Sequence, residues 1–322
     1  MKAAVYHKYG PPEVVQVEDI PTPRPGPDEV LVRVRAATVS SADWRARSLS
    51  MPRGFGAFGR PAFGFFGPRQ KVLGTAFAGE IADVGTNVTR FRQGDRVFGD
   101  CGMKMGAHAE FKLLKADAAL ANMPDDLSFE DAAALVFGGT VALVFLRDKG
   151  KIQPGEQVLV NGASGEVGVA MVQLAQHFGA EVLGVCSAAN ADLVQGLGAS
   201  TLDYAIEDFV DHGPFDLIID TVGNAGWTRS QPALREGGRL LLVLAGLAEM
   251  LLAPLRSRQQ GKRAIAGVAL GTAEDLALLA KLATGGAIKP IIGKVFALQD
   301  VRAAHRLVDS GHKVGSVVLR MG

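Results

Sequence analysis

The sequence predicts an α/β protein in which a doubly wound, six-stranded parallel sheet follows a β-rich first third. Three observations carry that prediction. From about residue 128 onward, short apolar runs of strand character alternate with segments of helical period, the order that builds a parallel sheet with crossover helices. Gly179 and Gly198 each stand just past an apolar-periodic run, where a helix ends in a left-handed residue. At 161–168 an apolar strand turns through NGASGEVG into a helix, and a second strand follows at the spacing of one βαβ unit.

Residues 2–6 alternate weakly, 14–17 continue as a strand, and 29–36 alternate apolar and basic residues with period two, so one face of that strand is buried. PTPRPGPDE between them is a surface connection, because proline lacks the N–H that a sheet ladder needs. The segment 51–69, MPRGFGAFGRPAFGFFGPR, has neither period and is expected to be a loop. Its phenylalanines, Phe55, Phe58, Phe63, Phe65 and Phe66, are expected to pack on the protein itself, a partner subunit or a substrate, with the protein itself favoured. Ser128 with Asp131 caps a helix through AAALVF, where Gly138 and Gly139 either interrupt the helix or admit a close neighbour. Strands are expected at 157–161, 181–186, 201–204, 215–220, 239–244 and 264–269, and helices at 167–178, 191–197 and 226–234. The tail reads as helix 273–283, an extended IIGKVFAL, helix 300–309 and strand 315–319.

A chain of 322 residues, 48% of them apolar, is long enough for two cores. Its 34 basic and 33 acidic residues nearly cancel, so no overall field points to nucleic acid or acidic lipid, and a small-molecule ligand is expected. The start MKAAVYHKYG lacks the apolar core of a signal peptide. The most lipid-like stretch, 240–255, is interrupted by Glu249 and Pro254 and falls short of the roughly 20 apolar residues of a membrane span. Cys101 and Cys186 alone cannot build a disulfide framework or a four-cysteine zinc lobe. A soluble, cytoplasmic protein is the expectation.

In NGASGEVG, Ala163, Gly165 and Gly168 take the positions of G-x-G-x-x-G. Gly165 lets backbone N–H groups approach a pyrophosphate at the helix N-terminus, and Gly168 lets the helix lie tightly on the sheet. A bare strand-to-helix turn is the competing reading. Glu166 suits the helix dipole but repels a phosphate, so its side chain is expected to point to solvent. After the second strand, the corner Cys186 to Asn190 has no acid to select NAD, while Ser187 and Asn190 can donate to a 2′-phosphate. NADP(H) is therefore preferred, although no arginine or lysine stands in the corner and NAD stays open.

Several blocks in a fixed order, among them VLVRVRAATVSSADW, GTAFAGEIADVGTNVTRFRQGDRVFG, the glycine turn, DLIIDTVG and GHKVGSVVL, resemble the medium-chain dehydrogenase/reductase superfamily in its zinc-independent quinone oxidoreductase-like branch. The resemblance implies a six-stranded Rossmann domain, 125–264, inserted in a β-rich GroES-like catalytic domain made of 1–124 and 265–322, with a cleft between them and a homodimeric assembly. It carries Ser164, Gly165, Glu166 and Val167, next to Ala163, onto the pyrophosphate turn, and Ser187 and Asn190 onto the 2′-phosphate corner. Tyr204 falls on the adenosine side; Val222 and Gly223 follow the fourth strand and Leu244 and Ala245 the fifth as cofactor-binding positions, Val268 to Leu270 face the nicotinamide, and Thr140 lies where a helix approaches the cofactor. Ser40, Ser41 and Thr75 stand where zinc-dependent members carry ligands, so no metal site is expected.

The implied chemistry is hydride transfer from NADPH to a quinone or an α,β-unsaturated carbonyl, followed by protonation from water or a hydroxyl. Ser40 and Asp43 are the candidate catalytic side chains: Ser40 to hydrogen-bond a substrate carbonyl or ribose, Asp43 with the alternative of a helix cap or a pairing with Arg45 or Arg47. No tyrosine stands at 44–70 to donate a proton. Two other readings compete: a zinc-type alcohol dehydrogenase with unrecognised ligands, and a non-catalytic module that senses NADPH.

Overall fold

The computed structural model describes residues 1–256 and 261–322. Its first part is β-rich: β1 (Lys2–Tyr6), β2 (Val15–Asp19), β3 (Glu29–Val39), α1 (Ser41–Ser48), α2 (Gly56–Phe63), β4 (Ala76–Val84), β5 (Arg96–Asp100), β6 (Phe111–Lys115) and β7 (Leu120–Asn122). Along β3, Val32, Val34 and Ala36 are buried while Arg33 and Arg35 between them reach solvent, the expected period of two.

Helix and strand then alternate: α3 (Phe129–Leu143), β8 (Gln157–Asn161), α4 (Glu166–His177), β9 (Glu181–Cys186), α5 (Ala191–Gly196), β10 (Ser200–Asp203), β11 (Phe215–Asp220), α6 (Trp227–Ser230), β12 (Leu234–Leu242), α7 (Leu247–Arg256) and β13 (Arg263–Ala266). The last elements are α8 (Ala273–Thr284), β14 (Ile292–Ala297), α9 (Val301–Asp309) and β15 (Ser316–Arg320).

β8 to β13 form one wholly parallel sheet in the order β10-β9-β8-β11-β12-β13. The chain winds outward in both directions from the β8–β11 pair, so a crevice opens beyond the carboxyl ends of these two strands. Gly179 and Gly198 stop their helices at φ +84° and +93°. Gly138 and Gly139 admit neighbours rather than break α3: a Cβ at 138 would overlap the Glu166 carbonyl oxygen, and one at 139 would meet the Leu279 side chain at 3.1 Å. The helix continues in π geometry to Gly150; Phe129–Gly150 is long and apolar enough to cross a membrane, but 72% of its most apolar window is buried inside the protein, as in a core helix.

A second sheet, β14-β15-β3-β4-β5-β7, joins both parts of the chain, with β15 antiparallel to β3. Leu279 and Leu282 of α8 pack into the core of the parallel sheet, so that core continues beyond β13.

The segment 51–69 departs from the expected loop. Residues 56–63 form α2, with the buried Gly59 set against Met51, where a Cβ would be 3.0 Å from the Met51 Cγ, a contact with no periodic signature. Phe63 packs partly on the core that Tyr6, Val34 and Phe77 share with α9, but Phe58, Phe65 and Phe66 stay exposed. The helix expected over 226–234 shortens to α6 and a 3-10 turn containing Pro232.

Candidate active site

β8 delivers the chain to the crevice at Asn161, and the turn is built by close approaches. Gly162 has φ +84°, and a Cβ there would stand 2.6 Å from the side chains of both Thr221 and Val222. The N–H groups of Gly162 and Ala163 bond the Val185 carbonyl of β9. A Cβ at Gly168 would overlap the Gly162 carbonyl oxygen, so α4 lies directly on the turn. Gly165 is different: a Cβ there would meet only the Gly162 oxygen, at 3.5 Å. There is thus room where a Gly165 side chain would stand at the N-terminal turn of α4, whose first N–H groups have no intrahelical acceptor, while Gly315 pairs with Gly165 in a short parallel bridge.

The two polar regions assigned to the dinucleotide come together: Asn190 Nδ2 donates to Ser164 Oγ at 3.0 Å. Ser187, which precedes a short 3-10 turn, bonds through its carbonyl to the Asn190 N–H and leaves its hydroxyl without a capping role. The neighbouring strand brings Asp203 level with Cys186, an acid that the linear stretch 186–190 does not contain; its Oδ1 accepts the Ala205 N–H at 3.0 Å. Tyr204 follows it, 62% exposed.

On the other side of β8, the crevice rim rests on Asp220. This fully buried carboxylate accepts from Asn161 Nδ2 at 2.9 Å and from the N–H groups of Val222, Gly223 and Ala225 at 2.9–3.0 Å, which fixes the turn after β11. Val222 and Val268 are 48% and 69% exposed, Leu244 is half-buried, and Ala245 is almost fully buried. Thr140 is buried on α3 with its hydroxyl unpartnered among the described residues, and Gly271 approaches so closely that a Cβ there would overlap the Thr140 methyl.

Glu166 corrects the expectation that its side chain reaches solvent. It is buried, forms an ion pair with Lys313 and lies 3.5 Å from Ser316 Oγ. Burial pushes its carboxyl above the ordinary range, and Lys313 pulls it back. The physical reason is the approach of residues 313–316, where Gly315 N–H also donates to the Ser164 carbonyl at 2.9 Å.

Ser40 and Asp43 lie at the start of α1, both fully buried. They close a capping box: Ser40 N–H and Oγ donate to Asp43 Oδ2 at 2.8 and 2.7 Å, and the Asp43 N–H approaches Ser40 Oγ at 3.4 Å. Asp43 Oδ1 accepts the Gly74 N–H at 2.7 Å. Of the alternatives for Asp43, the cap is the one formed; Arg45 donates to the Ser50 carbonyl and Arg47 to Asp309.

Known proteins place this arrangement. Over 338 residues the chain is 32% identical to the quinone oxidoreductase of Pseudomonas aeruginosa, covering 99% of both chains. The chain belongs to the quinone oxidoreductase-like branch of the medium-chain dehydrogenase/reductase superfamily. A model described as alcohol dehydrogenase GroES-like domain matches residues 26–125, and one described as zinc-binding dehydrogenase matches 197–319. The 2-haloacrylate reductase of a Burkholderia species is 29% identical, with 98% of each chain covered. The structure of Escherichia coli quinone oxidoreductase complexed with NADPH superposes with a TM-score of 0.83 at 26% identity, over 99% of this chain and 100% of that one. As a member of this branch the chain is an oxidoreductase with a nicotinamide cofactor, and its parallel sheet and GroES-like part are those of the superfamily.

The donors at the position of the superfamily's zinc do not suit that ion. Ser40 bonds Asp43, Thr75 offers a buried hydroxyl, and Glu80 is held by the Arg35 guanidinium at 2.8 and 3.2 Å. Among the described residues, no three His, Cys, Asp or Glu side chains gather as a metal site. Asn161 and Asp220, which fix the turn after β11, and Lys313, which pairs with Glu166, carry no signal in the sequence that marks them for this rim.

Proposed function

We propose that this enzyme uses NADPH to reduce quinones or α,β-unsaturated carbonyl compounds, without zinc. The observation that carries the reading is the room at Gly165 at the α4 N-terminus, flanked by glycines that cannot carry a side chain. The names of the relatives, a quinone oxidoreductase and a 2-haloacrylate reductase, support the acceptor class.

In this reading the backbone of Ser164, Gly165, Glu166 and Val167, on the Ala163 turn, takes the pyrophosphate. Ser187 and Asn190 take the 2′-phosphate, and Tyr204 flanks the adenosine. Val222, Leu244, Ala245 and Val268, with the free hydroxyl of Thr140, line the nicotinamide end. The bound reduced nicotinamide supplies the hydride. Lys313 neutralises Glu166, which removes a charge that would repel phosphate. Ser40 and Asp43 act as positioning residues: their polar atoms hold each other and Gly74, so the final proton comes from water. The exposed apolar rim around Val222 and Val268 shields the acceptor from water.

Parallel fluorescence titrations with NADPH and NADH test the cofactor, and NADPH consumption over a panel of quinones and enones tests the reaction. The expected result is tighter binding of NADPH and turnover with at least one acceptor class. NADH binding about tenfold tighter than NADPH, or tight cofactor binding with no acceptor turned over, overturns the proposal.

A further inference from the structure

The stretch 44–79 contains no acidic residue and six basic ones, in a chain whose formal net charge is +1. Its central feature is a tight turn. The Arg69 N–H bonds the Phe63 carbonyl at 2.9 Å, and the Gly64 N–H bonds the Arg60 carbonyl at 2.8 Å. Gly64 has φ +133° and lies so close to Gly67 that no side chain fits at that position. The turn stands on the first β-strand region through Tyr9 Oη, which donates to the Gly64 carbonyl at 2.9 Å. Arg60 reinforces it, donating to the Phe65 carbonyl at 2.6 Å while lying over the Tyr9 ring.

This frame holds Phe65 and Phe66 outward at its tip, 57% and 107% exposed, with Phe58 at 55% beside them on α2. Arg60, Arg69 and Lys71 flank them, exposed and without a carboxylate partner among the described residues. His7, which lies at the base of the patch, is bonded to Glu18. Aromatic tips on a rigid turn, ringed by unpaired cations, have the chemistry that partitions into the interface of a bilayer bearing anionic headgroups. The near-zero net charge of the whole chain conceals this local excess.

We infer that the turn around Phe65 and Phe66 is a peripheral docking site for anionic lipid membranes. The cations supply attraction over a Debye length, and the phenylalanines enter the headgroup region. This surface goes beyond the proposed reaction and does not depend on it.

Flotation of the full-length protein with vesicles tests it, using phosphatidylcholine alone or with roughly one third phosphatidylglycerol. The expected result is flotation with the anionic vesicles only, weakening as salt rises. Phe65→Ser/Phe66→Ser should lose about tenfold or more of that binding, and Arg69→Gln/Lys71→Gln its preference for anionic lipid. All four side chains are exposed, so both variants should keep the parent's circular dichroism and melting temperature. Phe66→Trp should shift its emission to the blue with anionic vesicles alone. The inference is overturned if the parent fails to float with anionic vesicles. It is equally overturned if the serine variant floats like the parent, or if that variant converts a parent dimer to a monomer, which would assign the patch to a second copy of this chain.

Discussion

Two alanine substitutions three residues apart separate what the cofactor needs from what the fold needs. At Gly165 a methyl group meets only one oxygen, at 3.5 Å, and the backbone at φ −76°, ψ 169° suits any residue. Gly165→Ala should therefore fold and gain about 0.5 kcal/mol from a less flexible unfolded chain. In the proposed reading the same methyl stands in the path of the pyrophosphate toward the α4 N-terminus. Losing one hydrogen bond to a charged group costs about 1.5–3 kcal/mol, which weakens NADPH binding roughly 10- to 150-fold. Gly168→Ala is the inverse case. Its methyl would overlap the Gly162 oxygen and lie 2.8 and 2.9 Å from the Ala163 carbonyl carbon and Cα, backbone atoms that cannot rotate aside. Moving them costs about 1–3 kcal/mol, and each kcal/mol lowers the melting temperature of a protein of this size by about 2–4 °C. Thermal melts and NADPH fluorescence titrations of both variants read the two effects independently. Unchanged NADPH affinity in Gly165→Ala would refute the assignment of the turn to the pyrophosphate, and an unchanged melt of Gly168→Ala would refute the close-packing argument.

Three further outcomes are expected. Lys313→Met leaves Glu166 buried and unpaired and should cost roughly 3–5 kcal/mol in urea unfolding, with most of it recovered in Lys313→Met/Glu166→Gln. Burial first, then His108 and Arg47, hold the imidazole of His305 well below its ordinary pKa of 6.5. The unfolded chain takes up that proton first, so the stability is complete above about pH 6.5 and is lost as pH falls below it, at up to about 1.4 kcal/mol per pH unit. His305→Leu should flatten that acid limb in urea midpoints compared across neutral and mildly acidic pH. Ser187→Asp places a carboxylate in the 2′-phosphate corner and should shift the NADPH-to-NADH affinity ratio about tenfold or more toward NADH, measured by parallel titration.

The parallel sheet was legible because its signals are local. Each strand is a short apolar run, and Gly179 and Gly198 mark helix ends whose left-handed φ values the structure bears out. The glycine turn was legible for the same reason, and the Asn190–Ser164 bond joins two stretches already assigned to one ligand. The illegible parts depend on contacts that leave no periodic mark in the sequence. Glu166 was expected in solvent because nothing between 160 and 170 announces Lys313, 147 residues later. Asp220 reads as the polar end of an apolar strand, and only the folded turn turns its carboxylate toward three N–H groups. α2 escaped because its seat on Met51 is a glycine contact within a segment rich in Gly and Pro.

The approach of residues 313–316 to the turn also bears on modularity. The parallel sheet has the topology of a self-contained nucleotide-binding unit, yet its phosphate-side helix begins with a carboxylate whose counterion belongs to a segment leading into the other sheet. Cut free of that segment, the unit would expose an anion where, in the proposed reading, it receives the pyrophosphate. Transplanting the nucleotide-binding half into another scaffold therefore requires bringing the Lys313 strand entrance with it or neutralising Glu166.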